Sequence, residues 1–216
     1  SSPGSPVRLH HGRKEEPAQQ QDDHEVDERK GGRRTEVELA HWAYWDDNCE
    51  GEDFEVVVDR AKLGLAPPEA AVKGVYKLLE ANGKPEAAVV YQGSDVAYAF
   101  IDGVLPHLVE KGINADVYYI SSVELFDRLP AEEREAIFPA SAAASAMMFS
   151  GFTAATTYRW VTSERGRRFT HYPWKHGEFL GSGPGDVCLE QAGMHGEAQW
   201  KIIEQFIGGS RHLKAV

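Results

Sequence analysis

Cysteine is scarce in this chain, which has only Cys49 and Cys188 among 216 residues. Two thiols so placed give neither a disulfide framework nor metal-ligand spacing, and a reduced, cytoplasmic setting is expected. Long apolar runs are missing too. No stretch approaches the roughly 20 residues that span a bilayer, and the first residues lack the apolar centre of a secretion signal, so a soluble protein with no membrane role is expected. Positive charge is in deficit: 23 basic against 34 acidic residues give a formal net charge of -11. Proteins that replace the counterions of a phosphate backbone carry a basic face, which argues against nucleic acid as the main partner. Catalytic groupings are also lacking. No Ser-His-Asp or Cys-His arrangement is readable, and neither cysteine has an activating context. Glu132 and Glu133 are adjacent, so on a helix they do not face each other; acids in a first turn are ordinary partners of the helix dipole.

What the chain does have is an alternating pattern of strands and helices. At 42% hydrophobic residues it suffices for one ordinary domain plus a flank. The apolar run Ala87 to Tyr91 reads as a strand, Gly93-Ser94-Asp95 as a turn with Ser94 as N-cap, and the residues from there to Leu108 and Val109 as one helix that stops at Lys111-Gly112. Val117 to Ile120 is the next strand, followed by a short helix over Val123 to Asp127 and another opened by Pro130. Ala142 to Phe149 lacks helical period and reads as a further core strand. Gly181 to Asp186 is a turn into a helix over Val187 to Gly193. A last amphipathic helix runs from Gly196 to Ile207 with Trp200, Ile203, Phe206 and Ile207 on one face. Upstream, Glu55 to Val58 reads as a short strand, and Pro67-Pro68-Glu69 opens a helix over Ala70 to Leu79 that Asn82-Gly83-Lys84-Pro85 closes.

Arg13 to Arg34 is so polar, with Val26 almost its only sizeable apolar side chain, that it cannot offset the entropy of ordering; an exposed excursion or linker is expected. Trp42-Ala43-Tyr44-Trp45 then puts three large rings within four residues, to be packed against the domain or a partner chain. Gly181 to Asp186 could cradle a phosphate with backbone amides, but Asp186 would compete for the same positive helix end and is better read as a cap. His171 and His176, with Trp174 and Lys175, could suggest a metal or anion site. Their spacing, with no carboxylate or cysteine at ligand distance, favours an exposed loop at a subunit interface. His195 reads as a cap or surface residue.

Several of these segments, in this order, resemble the C-terminal domain of the transketolase family of thiamine-diphosphate enzymes. The carrying residues are the strand and turn Val89 to Ala97, then Gly112-Ile113-Asn114-Ala115-Asp116-Val117. After these come Ser121-Ser122-Val123-Glu124-Leu125-Phe126-Asp127 with Leu129-Pro130 behind it, the loop Phe179-Leu180-Gly181-Ser182-Gly183-Pro184-Gly185, and the two closing helices. Coverage is about residues 53 to 207. Residues from Phe149 to His176 depart from the pattern, in Tyr158-Arg159-Trp160 and His171-Tyr172-Pro173-Trp174-Lys175-His176.

The resemblance implies an α/β fold of three layers, α/β/α, around a mostly parallel sheet of about five strands. It implies an organisation into residues 1–13 as the end of a preceding pyrimidine-binding domain or a pairing strand, 14–52 as a polar linker or excursion, and 53–216 as the α/β domain. In the family, the segment matching Pro6 to Arg13 carries an arginine that helps bind substrate phosphate. Arg13, and with it His11, are the substrate-binding candidates it implies. A guanidinium suits that role because its fork pairs two phosphate oxygens. The activity implied is transfer of a two-carbon ketol unit between sugar phosphates, using thiamine diphosphate with Mg2+ or Ca2+. The Gly-Asp-Gly segment with its following asparagine, and the glutamate that sets the aminopyrimidine tautomer, are not identifiable: Asp102-Gly103 and Gly185-Asp186 are isolated dipeptides. The cofactor is therefore assigned to other domains or a companion chain, in a homo- or hetero-oligomer, with this chain as scaffold. The same domain closes 2-oxoacid dehydrogenase E1 components and 1-deoxyxylulose-phosphate synthases, which stay open, as does a non-catalytic binding or regulatory module.

Overall fold

A computed structural model describes residues 58–177 and 180–214. Arg13, His11, Cys49, the Trp42 to Trp45 cluster, Glu55 to Val57 and Phe179 lie outside them.

The central strands form where apolar residues run unbroken. β1 (Val75–Leu79), β2 (Ala87–Gln92), β3 (Ala115–Ile120) and β4 (Ala146–Ser150) make one sheet in the order β1-β3-β2-β4. β2 pairs in parallel with β3 and β4, from Ala87 opposite Ala115 and from Ala88 opposite Ala146, while β1 runs antiparallel on β3. A sheet covered on both faces needs apolar residues at successive positions, and β2 is buried from Ala87 to Tyr91.

Alternate residues of each strand feed two separate cores. On one face Val89, Tyr91, Val117, Met147 and Phe149 meet α1 (Ser94–Gly103), α2 (Leu105–Glu110), α7 (Gly185–Gln191) and α8 (Gly196–Lys214), which brings in Trp200, Ile203, Phe206 and Ile207. On the other, Ala88, Val90, Tyr118, Ile120 and Met148 meet Phe126 of α3 (Val123–Arg128), Phe138 after α4 (Ala131–Ile137), alanines of α5 (Ala140–Ser145), and Trp160 and Val161 ahead of α6 (Glu164–Phe169). The result is the three-layer α/β/α architecture expected.

Among the described residues the sheet has four strands where about five were expected. The fifth position is reduced to one parallel bridge, Phe149 to His171, with the Ser150 amide donating to the His171 carbonyl (3.0 Å) and the His171 amide to Met148 (2.8 Å). Pro173, two residues on, cannot donate to a ladder.

Three local expectations are corrected. The helix over Ala70 to Leu79 is a 3-10 helix, Pro68–Lys73, followed by β1; Gly74, at φ 78°, ends the helix, and Asn82 to Pro85 is the turn from β1 to β2. The single helix after β2 breaks at Val104, because Pro106 restarts it as α2. Ala142 to Phe149 divides into α5 and β4, alanine favouring helix up to Ser145.

In the stretch Ser121 to Asp127, four side chains have a structural reason. Ser122 Oγ accepts from the Leu125 amide (3.2 Å) and donates to Glu124 (3.0 Å), Phe126 is buried beside Trp160, and Asp127 pairs with Arg159 (2.6 Å). The Arg159 guanidinium holds the Asp127 carboxyl below its usual range.

Candidate functional site

In an open parallel sheet, a crevice forms beyond the carboxyl ends of strands where the chain leaves to opposite sides. Here that place is β2, whose neighbours β3 and β4 lie on either side. A cleft of about 320 Å³ opens there, walled by Gly93 to Val96, Gly151, Phe152, Pro173, Gly185 and Cys188 and floored by Leu189, Ala192 and Met194.

Its mouth is set by two glycines. The Gly151 amide donates to the Gln92 carbonyl (2.7 Å), and a methyl at Gly93 would stand 3.4 Å from the Gly151 backbone. Gly93, not Ser94, is the N-cap of α1, so Ser94 is the first helical residue and caps nothing. Asp95 projects from the first turn toward Gly185 and, among the described residues, is the one charged member of the cleft wall.

The glycine-rich turn is held from α7. Cys188 Sγ donates toward the carbonyls of Gly181 (3.4 Å) and Gly183 (3.6 Å), and the Gly181 amide donates to Gln191 Oε1 (3.2 Å). Asp186 lies within α7, whose N-cap is Pro184; its Oδ1 accepts only from the next amide, Val187 (2.8 Å). The expected capping role is therefore not seen.

Beneath the floor a buried amide ties three segments. Tyr91 Oη donates to Gln199 Oε1 (2.9 Å), and Gln199 Nε2 donates to the carbonyls of Met194 (2.7 Å) and Val96 (3.0 Å). Replacing Gln199 by Leu leaves a phenol and two carbonyls without this partner, each worth about 1–3 kcal/mol when stranded. A loss of roughly 3 kcal/mol is expected as a lower urea midpoint at unchanged slope; an unchanged midpoint would remove the network from the account of stability.

The histidine loop is not the exposed element expected. His171 stacks on Phe149, 5.7 Å between centroids, and its Nδ1–H donates to the Phe169 carbonyl (2.9 Å). Lys175 Nζ donates to the carbonyls of Arg168 (2.8 Å) and Thr170 (2.6 Å), completing the end of α6. Burial lowers the Lys175 pKa. Trp174 and His176 stay exposed, and among the described residues no group of three or more His, Cys, Asp or Glu could hold a metal. Glu133 is a structural partner of Lys73 (2.6 Å), and His195 is half-buried with an unpartnered Nδ1.

Desolvation, reinforced by Lys175 and His176 and opposed by the Phe169 carbonyl, lowers the His171 pKa from 6.5 to about 4. The folded state therefore holds this ring neutral while the unfolded chain takes up a proton first as pH falls. Its contribution is complete above 6.5 and lost progressively toward 4, up to about 3 kcal/mol. Urea unfolding at pH 7 and pH 4.5 measures the slope, and His171→Leu should flatten it. A slope identical in the variant would assign the pH dependence elsewhere.

No family model matches the chain. A transketolase from Aquifex aeolicus is 29% identical over 150 residues, which cover 69% of this chain and 20% of that protein. The described domain is transketolase-like. A transketolase structure from Leishmania mexicana shares the fold, with a TM-score of 0.50 at 17% identity over 67% of this chain and 19% of that one. A transketolase mutant from Pichia stipitis gives 0.49 at 19% identity, over 69% and 20%. The chain thus spans about a fifth of the length of the transketolases it matches.

Within the transketolase-like domain, Gly93-Ser94 and, from the two ends of the glycine-rich loop, Leu180 and Gly185 come together at the cleft. Gly151, Phe152 and Met194 join them without having been singled out in sequence. The only available cue was a glycine directly after the apolar run of β4. Arg13 and His11 lie outside the described residues, as do residues 178–179.

Proposed function

We propose that this chain is the C-terminal portion, or a subunit, of a transketolase-like enzyme that transfers a two-carbon ketol unit between sugar phosphates. Its own part in this reading is to scaffold and assemble the enzyme. The observation that carries the proposal is the 150-residue match to a transketolase, of which it covers 20%. The remaining four-fifths of such a protein leaves room for the parts that hold the cofactor.

The described residues do not fit thiamine diphosphate and its cation. The cleft offers one carboxylate, Asp95, and no cationic side chain, so a diphosphate would meet repulsion there and a divalent ion too few ligands. No chemical step is derived through the cofactor; in this reading other domains or a partner chain hold it with Mg2+ or Ca2+.

Arg13 remains the proposed phosphate contact. In the assembled enzyme, Arg13→Ala is expected to raise KM for phosphorylated donors more than it lowers kcat, as for a group that binds ground and transition states alike. An unchanged KM removes it. The reading as a whole is tested by isolating the chain from its source with its companions and examining them by mass spectrometry. A larger companion or further covalently linked domains, together with thiamine diphosphate, are expected; finding none of them sinks it.

A further inference from the structure

A second cavity lies at the opposite end of the sheet, where the amino ends of β2 and β3 meet α5, α6 and α8. It is a groove of about 620 Å³. Its origin is a choice of small residues: α5 packs on β2, and the buried side chains there that line the groove are Ala88 and Ala142, where larger aliphatics would have filled the space.

The polar groups around it are unequally satisfied. Asp116 is neutralised by Lys77 (3.2 Å) and accepts from the Ala81 amide (2.9 Å) and from Tyr118 Oη (3.4 Å). Glu86 Oε1 accepts from the Asn114 amide (3.3 Å). Two cations on the groove wall have no carboxylate partner among the described residues. The Lys84 ammonium makes no hydrogen bond or ion pair with them, and Arg165 spends only its Nη2, on the Phe206 carbonyl, with its Nε shut away from solvent. The Arg165 guanidinium lies against the paired rings of Phe169 (5.6 Å) and Phe206 (5.0 Å), which restrains it and reduces what binding would have to order. Ser141, whose hydroxyl makes no hydrogen bond with a described residue, lines the same groove.

We propose that this groove binds a small phosphate-bearing anion, held by Lys84, Arg165 and the Ser141 hydroxyl, with any organic part over the alanine floor. Two cationic side chains suit a phosphate dianion better than a monovalent carboxylate, and a planar guanidinium pairs with phosphate oxygens. The site is separate from the cleft beyond β2 and does not depend on the transketolase-like reading.

The full chain, titrated with inorganic phosphate against sodium chloride of equal ionic strength and followed by amide NMR, gives the test. Saturable shifts are expected at the amides of residues 84–88, 141–145 and 163–165, with the dissociation constant raised at least roughly tenfold in Lys84→Glu and in Arg165→Gln. Lys84 is exposed, so its variant folds whether or not Arg165→Gln does, and it alone decides. Acetate should produce no saturable shift. No saturable shift with phosphate, an affinity unaltered in Lys84→Glu, or shifts at residues 93–96 instead would each overturn the assignment.

Discussion

A methyl group at Gly166 is expected to cost more than about 3 kcal/mol, enough to unfold much of a marginally stable domain. Gly166 lies in α6 where that helix presses on β4. An added Cβ would stand 2.0 Å from the Ala146 carbonyl, 2.6 Å from Val161 and 2.9 Å from the hydroxyl of Ser163, the N-cap of α6. The first of these is backbone in the sheet and cannot swing aside. Relief requires moving α6 off β4, which would loosen the Thr170 hydroxyl's bond to the Met148 amide (3.2 Å) and the His171 bridge with it. Gly166→Ala should lower the urea midpoint and raise amide exchange along β4 together. A normal midpoint would mean that α6 is free to shift and does not fix the edge of the sheet.

Gly74→Ala is the second large effect. The residue sits at φ 78°, where a Cβ is strained, and that Cβ would meet the Ser122 carbonyl at 2.2 Å and the Phe126 amide at 2.4 Å. Gly74 is also a knot of hydrogen bonds: its carbonyl accepts from the amides of Ser121 (2.9 Å) and Ser122 (3.0 Å) and from Ser121 Oγ (3.1 Å). Backbone strain of about 1–3 kcal/mol adds to the collision, and the substitution should detach β1 and the start of α3 together. Circular dichroism and urea unfolding of Gly74→Ala check this, with the exposed Gly83→Ala as companion. Gly83 has φ 79° but open space around it, so that variant carries the strain alone and isolates the collision. Equal effects of the two would assign everything to strain and nothing to the contact with α3.

The elements that were legible in sequence are those decided locally. β2 is an unbroken apolar run from Ala87 to Tyr91 and β3 is one from Val117 onward, and the spacing of Trp200, Ile203 and Phe206 describes α8 from its own residues. β1 was hidden because Pro67 to Lys73 looks like a helix that continues, and the apolar residues after it fit either period. Gly74 was the stop signal, and its meaning depends on what lies above it in space. In residues 140–149 alanine favours helix and the Met-Met-Phe run favours strand, so the boundary falls where burial against β2 takes over. The cleft was half legible for the same reason. Gly93 and Asp95 follow from the turn after β2, whereas Gly151, Phe152 and Met194 reach it only through the parallel pairing of β2 with β4 and the return of the last helix. The groove at the other end, built from residues as far apart as Lys84 and Arg165, has no local signature at all.

The placing of β2 at the middle of the sheet also fixes a schedule for synthesis. It is made before both of its neighbours, and its second edge stays bare until β4, completed only at Ser150, follows. At roughly 5–20 residues per second, the Ala-Ala-Val-Val-Tyr segment spends several seconds outside the ribosome as an unpaired, uncharged template. During that interval it can recruit a neighbouring nascent copy, so yield in a cell should respond to the pace of elongation between β2 and β4 more than to the final stability of the domain.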